Sequence, residues 1–364
     1  VFDRWNKVTN TNGIFDDWVE PYLFESKKLL KRDLIDLNEE VSKSLFNKFL
    51  SILRKHSVSD KPNAFNVIFD LFLSKLWDEK KEPHEELDFQ WREKEDDAVS
   101  FQYRLLDLYR AGMDDFLKKE VFGLNDSDFS ANTPKELKKI KKKVLMLEKV
   151  FNIKSVIDVE SFEENNRVLK EIVQLLQSYK IRYPRKQQHL SDFFERLLTT
   201  GLKQEAGQFF TPPPITRFII KSLPIKQLLT ESINQKSPKL PAVIDYAAGS
   251  GHFLTEIMEE YQSIINKIDI TNFKTDAKKH VQKWRIDEYD WAAKYIYGID
   301  KDYRLVKVAK VGCYFYGDGL AQIIHGDGLD NFAGSKSYRG LLKQQENKPN
   351  NGKFSFVISN PPYS

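Results

Sequence analysis

The chain has 364 residues, with 57 Lys and Arg against 53 Asp and Glu, 41% hydrophobic residues and one cysteine. That length implies about two domains with real cores, and the lone Cys313 excludes a disulfide framework and fits a reducing, cytoplasmic setting, where it reads as a small buried apolar side chain. The most apolar stretch, Ala64 to Trp77, is short and carries Asp70 and Lys75, so it reads as a core helix and not a membrane span, and the first residues do not read as a secretory signal.

The first half has helical periodicity. Phe65, Ile68, Phe69, Phe72 and Leu76 form one apolar stripe, Phe101, Leu105, Leu108 and Tyr109 a second, and Val168, Ile172, Leu175 and Leu176 a third. Asp78 to Asp97 is acidic and reads as a solvated loop or helix rim. Its Glu79-Lys80-Lys81 triplet closes a helix, whereas a nuclease triplet needs a strand. Asp126 to Pro134 reads as a loop, with Thr133-Pro134 as the start of a helix. Lysines 135, 138, 139, 141, 142 and 143 crowd that helix, whose expected inner face is Leu137, Ile140, Val144 and Leu147. Such a face can meet phosphate, although a solvated lysine surface is the commoner meaning. A boundary falls near Tyr183-Pro184, giving an expected helical domain over 1–184 and an α/β domain over 185–364. Residues 1–184 hold 32 basic against 34 acidic side chains, and residues 185–364 hold 25 against 19. The excess in the second part favours a polyanionic partner there.

After the boundary, Leu190 to Leu198 reads as a short amphipathic helix. Gly207-Gln-Phe-Phe-Thr-Pro212 follows, and Thr211 is placed to cap a helix running through Ile215, Phe218 and Ile219. Pro241 to Asp245 is a strand, Ala247 to Gly251 a tight small-residue turn, and His252 opens a helix. Paired glycines let a ligand approach the backbone, but a dinucleotide fingerprint wants a third glycine where this chain has Leu254, which disfavours a pyrophosphate. Tyr295 to Ile299 is a strand ending at Asp300, a carboxylate where nucleoside-binding folds hold ribose hydroxyls. The polar segment from Tyr261 to Asp290 is then an inserted helix or excursion. Arg304 to Tyr316 is a helix expected to face the sheet through Leu305, Val308, Ala309 and Gly312. Ala321 to His325 is a third strand, after which Asp327 can accept a hydrogen bond from an adenine amino group, while His325 reads as structural. Ser335 to Asn351 is polar and is expected to be mobile.

Phe354 to Ser359 reads as a buried strand, and it must stop at Pro361, because consecutive prolines supply no N–H for a ladder. An open parallel sheet places its ligands beyond the carboxyl ends of its strands. The Asn360 side-chain carbonyl and the Pro361 carbonyl are two acceptors able to hold one amino group, with Tyr363 offering a stacking face. Asn-Pro is also a common turn dipeptide. Four strand ends thus carry Asp245, Asp300, Asp327 and Asn360 in order.

With these motifs in place, the chain resembles the N6-adenine DNA methyltransferases, most closely the modification subunits of type I restriction–modification systems. The resemblance rests on residues 207–212, 245–254, Tyr297-Gly-Ile-Asp300, His325-Gly-Asp327 and Asn360-Pro-Pro-Tyr363. It covers about 188 to 364, with no motif as specific in the helical half. It implies an α/β, Rossmann-like S-adenosylmethionine-dependent methyltransferase sheet, C-terminally incomplete, preceded by an all-α domain. It implies that Gln208, Phe209, Phe210, Thr211 and Pro212 contact S-adenosylmethionine, that Asp245, Gly249, Ser250 and Gly251 shape its methionine pocket, and that Asp300 and Asp327 hold its ribose and adenine. Asn360, Pro361, Pro362 and Tyr363 would hold a flipped-out target adenine for direct methyl transfer without a metal. The implied partners are double-stranded DNA, a specificity subunit and a nuclease subunit, with two copies per complex and no membrane. Tyr246 stands where the family usually has Pro, and Ser355 where it commonly has Asp. The chain begins at Val1 and stops at Ser364, so both ends read as cuts through a longer protein, lacking later strands and a second base-stacking aromatic. Alternatives are a single-chain restriction–modification enzyme, a methyltransferase of RNA adenine or protein glutamine, and a non-catalytic scaffold.

Overall fold

The computed structural model describes residues 28–117, 121, 133–183, 193–194, 196–197, 211–315, 321–330, 342 and 354–361. Five long helices build the first part: α1 (Glu39–Lys55), α2 (Lys61–Asp78), α3 (Ala98–Leu117), α4 (Pro134–Glu148) and α5 (Val159–Leu176). Their starts are set locally. The side chains of Asp60, Thr133 and Asp158 accept from the backbone N–H groups of Asn63, Glu136 and Ser161 at 3.0, 3.2 and 2.8 Å, satisfying donors that a helix start leaves unpaired. The three apolar stripes expected from the sequence pack together. Helices α2 and α3 touch so closely that a Cβ on Gly112 would lie 3.0 Å from the Leu73 carbonyl oxygen.

Three local expectations are corrected. The 78–97 segment is a solvated rim only in part: residues 82–85 and 93–95 are exposed, but others are buried. Leu87 and Phe89 are fully buried, and the buried Glu79 carboxylate accepts from Lys75 at 3.0 Å and from the Arg182 N–H at 2.8 Å. The acidic composition there is consumed internally, by Lys81 with Asp78 and Asp88 and by Arg104 with Asp96. On α4 the inner face is Val144 and Leu145, while Leu147 is 79% exposed at the last turn. Of its lysines, Lys141 lies over the Tyr103 ring at 4.3 Å and Lys142 over Phe162 at 4.7 Å, so part of that row covers the helical body.

The second part begins with α6 (Pro213–Ser222) and α7 (Ile225–Ile233). It continues as β1 (Val243–Asp245), α8 (His252–Lys267), α9 (Thr275–Ile286), α10 (Ala292–Tyr295), β2 (Ile296–Asp300), α11 (Tyr303–Phe315), β3 (Gln322–His325) and β4 (Phe356–Val357). The four strands form one parallel sheet in the order β3-β2-β1-β4. This is the Rossmann-like α/β arrangement, preceded by a helical region. The chain steps one way from β1 to β3, and β4 lies on the other side of β1. The β1/β4 boundary is therefore a topological switch point, where open α/β sheets leave a crevice.

The inserted segment after Tyr261 is packed down. Tyr261 and Trp291 stack at 5.5 Å, and the Gln262 carbonyl oxygen accepts from Trp291 Nε1 at 2.8 Å. Strand β4 is short, and Val357 is 63% exposed between buried Phe356 and Ile358, so it is half-buried and not wholly buried as its composition suggests. Helix α11 is buried from Leu305 to Phe315. Ala309 and Cys313 join the sheet's core, but Leu305 and Val308 join the helical core instead of facing the sheet, and Gly312 meets the Phe194 ring. Phe72, Phe194 and Phe315 interlock edge to face across this seam, and each buried ring contributes about 2 kcal/mol of transfer free energy. Cys313 is fully buried, and burial pushes its thiol up to about 11. Among the described residues no helix is long and apolar enough to cross a membrane, and no group of three His, Cys, Asp or Glu is placed to hold a metal ion.

Candidate functional site

The carboxyl ends of β3, β2, β1 and β4 carry Asp327, Asp300, Asp245 and Asn360 across one edge of the sheet. Behind β1 the chain makes a turn that only small residues fit. Gly249 and Gly251 have φ of +54° and +84°, in the left-handed region. Among the described residues no atom lies within 4 Å of where a Gly249 Cβ would sit, whereas a Gly251 Cβ would press on Ala309 at 3.1 Å. Gly251 thus brings the turn down onto α11, and Gly249 leaves an open cradle beside the backbone. The buried Ser250 Oγ lies 3.5 Å from His252 Nδ1.

Hydrogen bonds join these ends. The Gly249 N–H donates to Asp300 Oδ2 at 2.8 Å and the Asp302 N–H to Asp300 Oδ1 at 2.8 Å, which orients the carboxylate. Burial raises the Asp300 pKa above the usual carboxylate range. At the switch point, Ser359 Oγ donates to Asp245 Oδ1 at 2.7 Å, and the Ala247 N–H reaches the same oxygen at 3.1 Å. Among the described residues Asp245 Oδ2 is buried without a partner. Burial pushes the Asp245 carboxyl up to about 7, with the nearby Asp300 charge adding to the rise. Beside it Asn360 Nδ2 donates to Thr211 Oγ1 at 2.9 Å.

Thr211 is therefore not the cap expected from the sequence. The N-cap of α6 is Pro212, with no side-chain cap, and the Thr211 hydroxyl serves Asn360. Of the apolar positions read on that helix, Phe218 is 73% exposed, and the buried ones are Thr216 and Ile220. Arg217 of α6 grips Glu256 of α8 with two bonds of 3.0 and 3.1 Å, fixing α6 against the helix that follows the glycine turn. Asp327 lies at the far end, exposed, with Lys301 Nζ 3.0 Å from its Oδ2, and its neighbour Gly328 is packed against Tyr246. The His325 ring nitrogen meets the Lys301 carbonyl at 3.1 Å. Pro361 is described, following Asn360 at the surface. Gln208, Phe209, Phe210, Pro362 and Tyr363 lie outside the described residues.

Two residues of the site carried no role in the sequence reading. His252 Nδ1 lies 3.1 Å from the Thr211 carbonyl oxygen, and Ser359 ties β4 to β1. A histidine opening a helix after Gly-Ser-Gly, and a serine just before Asn-Pro, were the only signals.

Residues 185–364 match the sequence model of a family described as N-6 DNA Methylase. The match covers just under half of the chain, and this part is similar to the N-6 DNA methylase family. No curated protein sequence gives a significant match. A solved structure from work on complex assembly and conformational transition of the type I R-M system is similar at 16% identity and a TM-score of 0.43, covering 81% of this chain and 52% of that one. The chain thus spans about half the length of that relative. Within the matched region lie the switch-point pair Asp245 and Asn360, the Asp300 carboxylate and the glycine cradle.

Proposed function

We propose that this chain is the modification subunit of a type I restriction–modification system, transferring a methyl group from S-adenosylmethionine to adenine N6 in double-stranded DNA. The observation that carries the reading is the meeting of Asn360 with Thr211, and of Ser359 with Asp245, at the switch point of a parallel sheet. In this reading residues 1–184 form a helical domain and 185–364 the methyltransferase domain. DNA, a specificity subunit and a nuclease subunit are the partners, with two copies of this chain per complex.

The residues present fit S-adenosylmethionine. Among the described residues a buried carboxylate oxygen of Asp245 lacks a donor, Gly249 leaves space at the backbone, and Asp300 presents an oriented carboxylate. Asp245, Gly249, Ser250 and Gly251 would hold the methionine end, Asp300 the ribose and Asp327 the adenine, with Gln208, Phe209, Phe210 and Pro212 completing the pocket. S-adenosylmethionine supplies an electrophilic methyl group. An Asn amide that donates through Nδ2 presents Oδ1 as its acceptor. Asn360 Oδ1 and the Pro361 carbonyl would accept the two N6 hydrogens of a base flipped from the duplex, with Tyr363 stacked on it. Holding both hydrogens aims the nitrogen lone pair, and alignment of this kind supplies much of the rate.

The test is calorimetric titration of S-adenosylmethionine into the full-length natural protein, with NAD and ATP in parallel, followed by Asn360→Ala. Selective S-adenosylmethionine binding is expected. Asn360→Ala should lower methyl transfer to unmethylated duplex DNA at least about a hundredfold while leaving cofactor affinity within about twofold. Failure of the wild-type protein to bind S-adenosylmethionine refutes the function, and a collapse of cofactor affinity in Asn360→Ala refutes the assignment of this corner to the base.

A further inference from the structure

We propose that Thr211 is a positioning residue for Asn360: its hydroxyl holds the Asn360 side-chain amide in place at the switch point, where Oδ1 can meet the target amino group. The inference rests on the reading of Asn360 as the base-holding side chain. It departs from the cofactor role that the sequence resemblance implies for Thr211.

The geometry is direct. Asn360 Nδ2 lies 2.9 Å from Thr211 Oγ1, between residues 149 apart in sequence. Asn360 sits just after strand β4, in a segment closed by proline and past the end of the ladder. Strand pairing therefore does not set the orientation of its side chain. A threonine hydroxyl both donates and accepts, so it fixes where the amide lies, and with Nδ2 toward Thr211 the Oδ1 atom is turned away from it. An adenine amino group donates two hydrogens, so the wrong orientation sets donor against donor.

Thr211 can act as a pin because it is itself held. Its carbonyl oxygen lies 3.1 Å from His252 Nδ1 at the start of α8. Pro212 and Pro213 follow it and stiffen the backbone. Helix α6, which they open, is clamped to α8 by the Arg217–Glu256 pair. On the other side of Asn360, Ser359 is fixed to Asp245. The asparagine is thus bracketed by two fixed points, one on each side of the switch-point crevice. A hydroxyl able only to cap a helix would have no reason to point across that crevice.

The experiment compares Thr211→Val, which keeps shape and removes the hydroxyl, with Thr211→Ser, which keeps the hydroxyl. The first readout needs no activity. In a deuterated, 15N-asparagine-labelled sample of the full-length protein, the Asn360 side-chain amide is assigned by its disappearance in Asn360→Ala. In the wild type one of its protons should be shifted and slowed in exchange. Thr211→Val should move it to the position of a solvated amide, and Thr211→Ser should retain it. The second readout is kinetic. Thr211→Val should lower kcat about tenfold, the worth of one positioned hydrogen bond, with S-adenosylmethionine affinity within about twofold, and Thr211→Val added to Asn360→Ala should cost nothing more. Should Thr211→Val not fold, Thr211→Ala takes its place. An unchanged amide signal overturns the proposal, as does a loss of S-adenosylmethionine affinity that accounts for the whole effect. A wild-type protein that transfers no methyl group defeats the functional reading instead, and the amide signals then still decide whether the pin exists.

Discussion

Asp70 and Asp245 are both buried carboxylates, 6% and 1% exposed, and their surroundings differ in kind. Asp70 lies on the seam between α2 and α11, bonded to Lys307, and burial alone would raise its pKa while the adjacent ammonium opposes the rise. Lys75 and Glu79 repeat the pattern a few residues away, at 3.0 Å. At the seam, then, each of these buried charges meets its opposite. At the sheet edge, Asp245 and Asp300 are held by the neutral donors Ser359 Oγ and the N–H groups of Ala247, Gly249 and Asp302, and among the described residues Asp245 keeps one oxygen without a donor. A seam has only to persist, so its electrostatics close on themselves. A site has to receive something, so its electrostatics are left open and the free protein bears the cost.

The largest expected effect breaks the seam. Lys307→Met leaves Asp70 buried without its cation and should destabilise the protein by about 3–5 kcal/mol in urea unfolding. Adding Asp70→Leu to that variant should recover most of the loss, because an apolar pair of similar volume replaces an ion pair at little net cost. If Lys307→Met alone costs under about 1 kcal/mol, the pair does not hold the two parts together.

The next effect concerns the open side. The Asp245 carboxyl is raised to about 7 in the folded chain, from its ordinary value of 3.8. Between those values the folded chain holds a proton that the unfolded chain has lost. Stability from this group is therefore fully present below about pH 4 and declines as pH rises to about 7. Asp245→Asn should remove that decline, and by pH 8 should be more stable than the wild type, by on the order of a few kcal/mol. The check is urea unfolding at several pH values. A wild type and an Asn variant with parallel profiles from pH 4 to 8 would mean that Asp245 ionises normally. A bound ligand that donates to Oδ2 should flatten the wild-type profile in the same way, since it supplies the missing partner.

The same contrast explains what the sequence made legible. The edge of the sheet was readable because each strand ends in a short signal, Asp245 before the glycines, Asp300, Asp327 and Asn360 before proline, and a parallel sheet brings such ends together by topology alone. The seam was not readable in this way. Apolar periodicity shows that a position is inside but not what covers it, and α11 carries apolar residues on more than one side, so Leu305 and Val308 could face the sheet or the helices. Nor does composition reveal that the acidic stretch after Asp78 spends its charges on Lys81 and Arg104. Thr211 had a local use, capping, and a distant one, Asn360. The local use is all that sequence spacing can propose, and the distant one prevails because Pro212 takes the cap position.

The lysines of α4 offer the smallest effect and bring the contrast to the surface. Lys135, Lys139 and Lys143 recur every fourth residue on an exposed face, while Lys138 pairs with Asp97 at 2.7 Å and Lys141 and Lys142 lie over aromatic rings. The first three resemble the open site and the others the closed seam. Replacing Lys135, Lys139 and Lys143 by Gln should leave stability within about 0.5 kcal/mol. Replacing Lys141 and Lys142 should cost about 0.5–1 kcal/mol each, because the ammonium groups no longer sit over the rings. If the exposed row meets DNA phosphate, the triple variant should also flatten the dependence of log affinity on log salt by about 0.9 for each phosphate no longer neutralised. An unchanged slope beside unchanged stability makes the row a solvated surface, and confines the charge left open for a partner to the edge of the sheet.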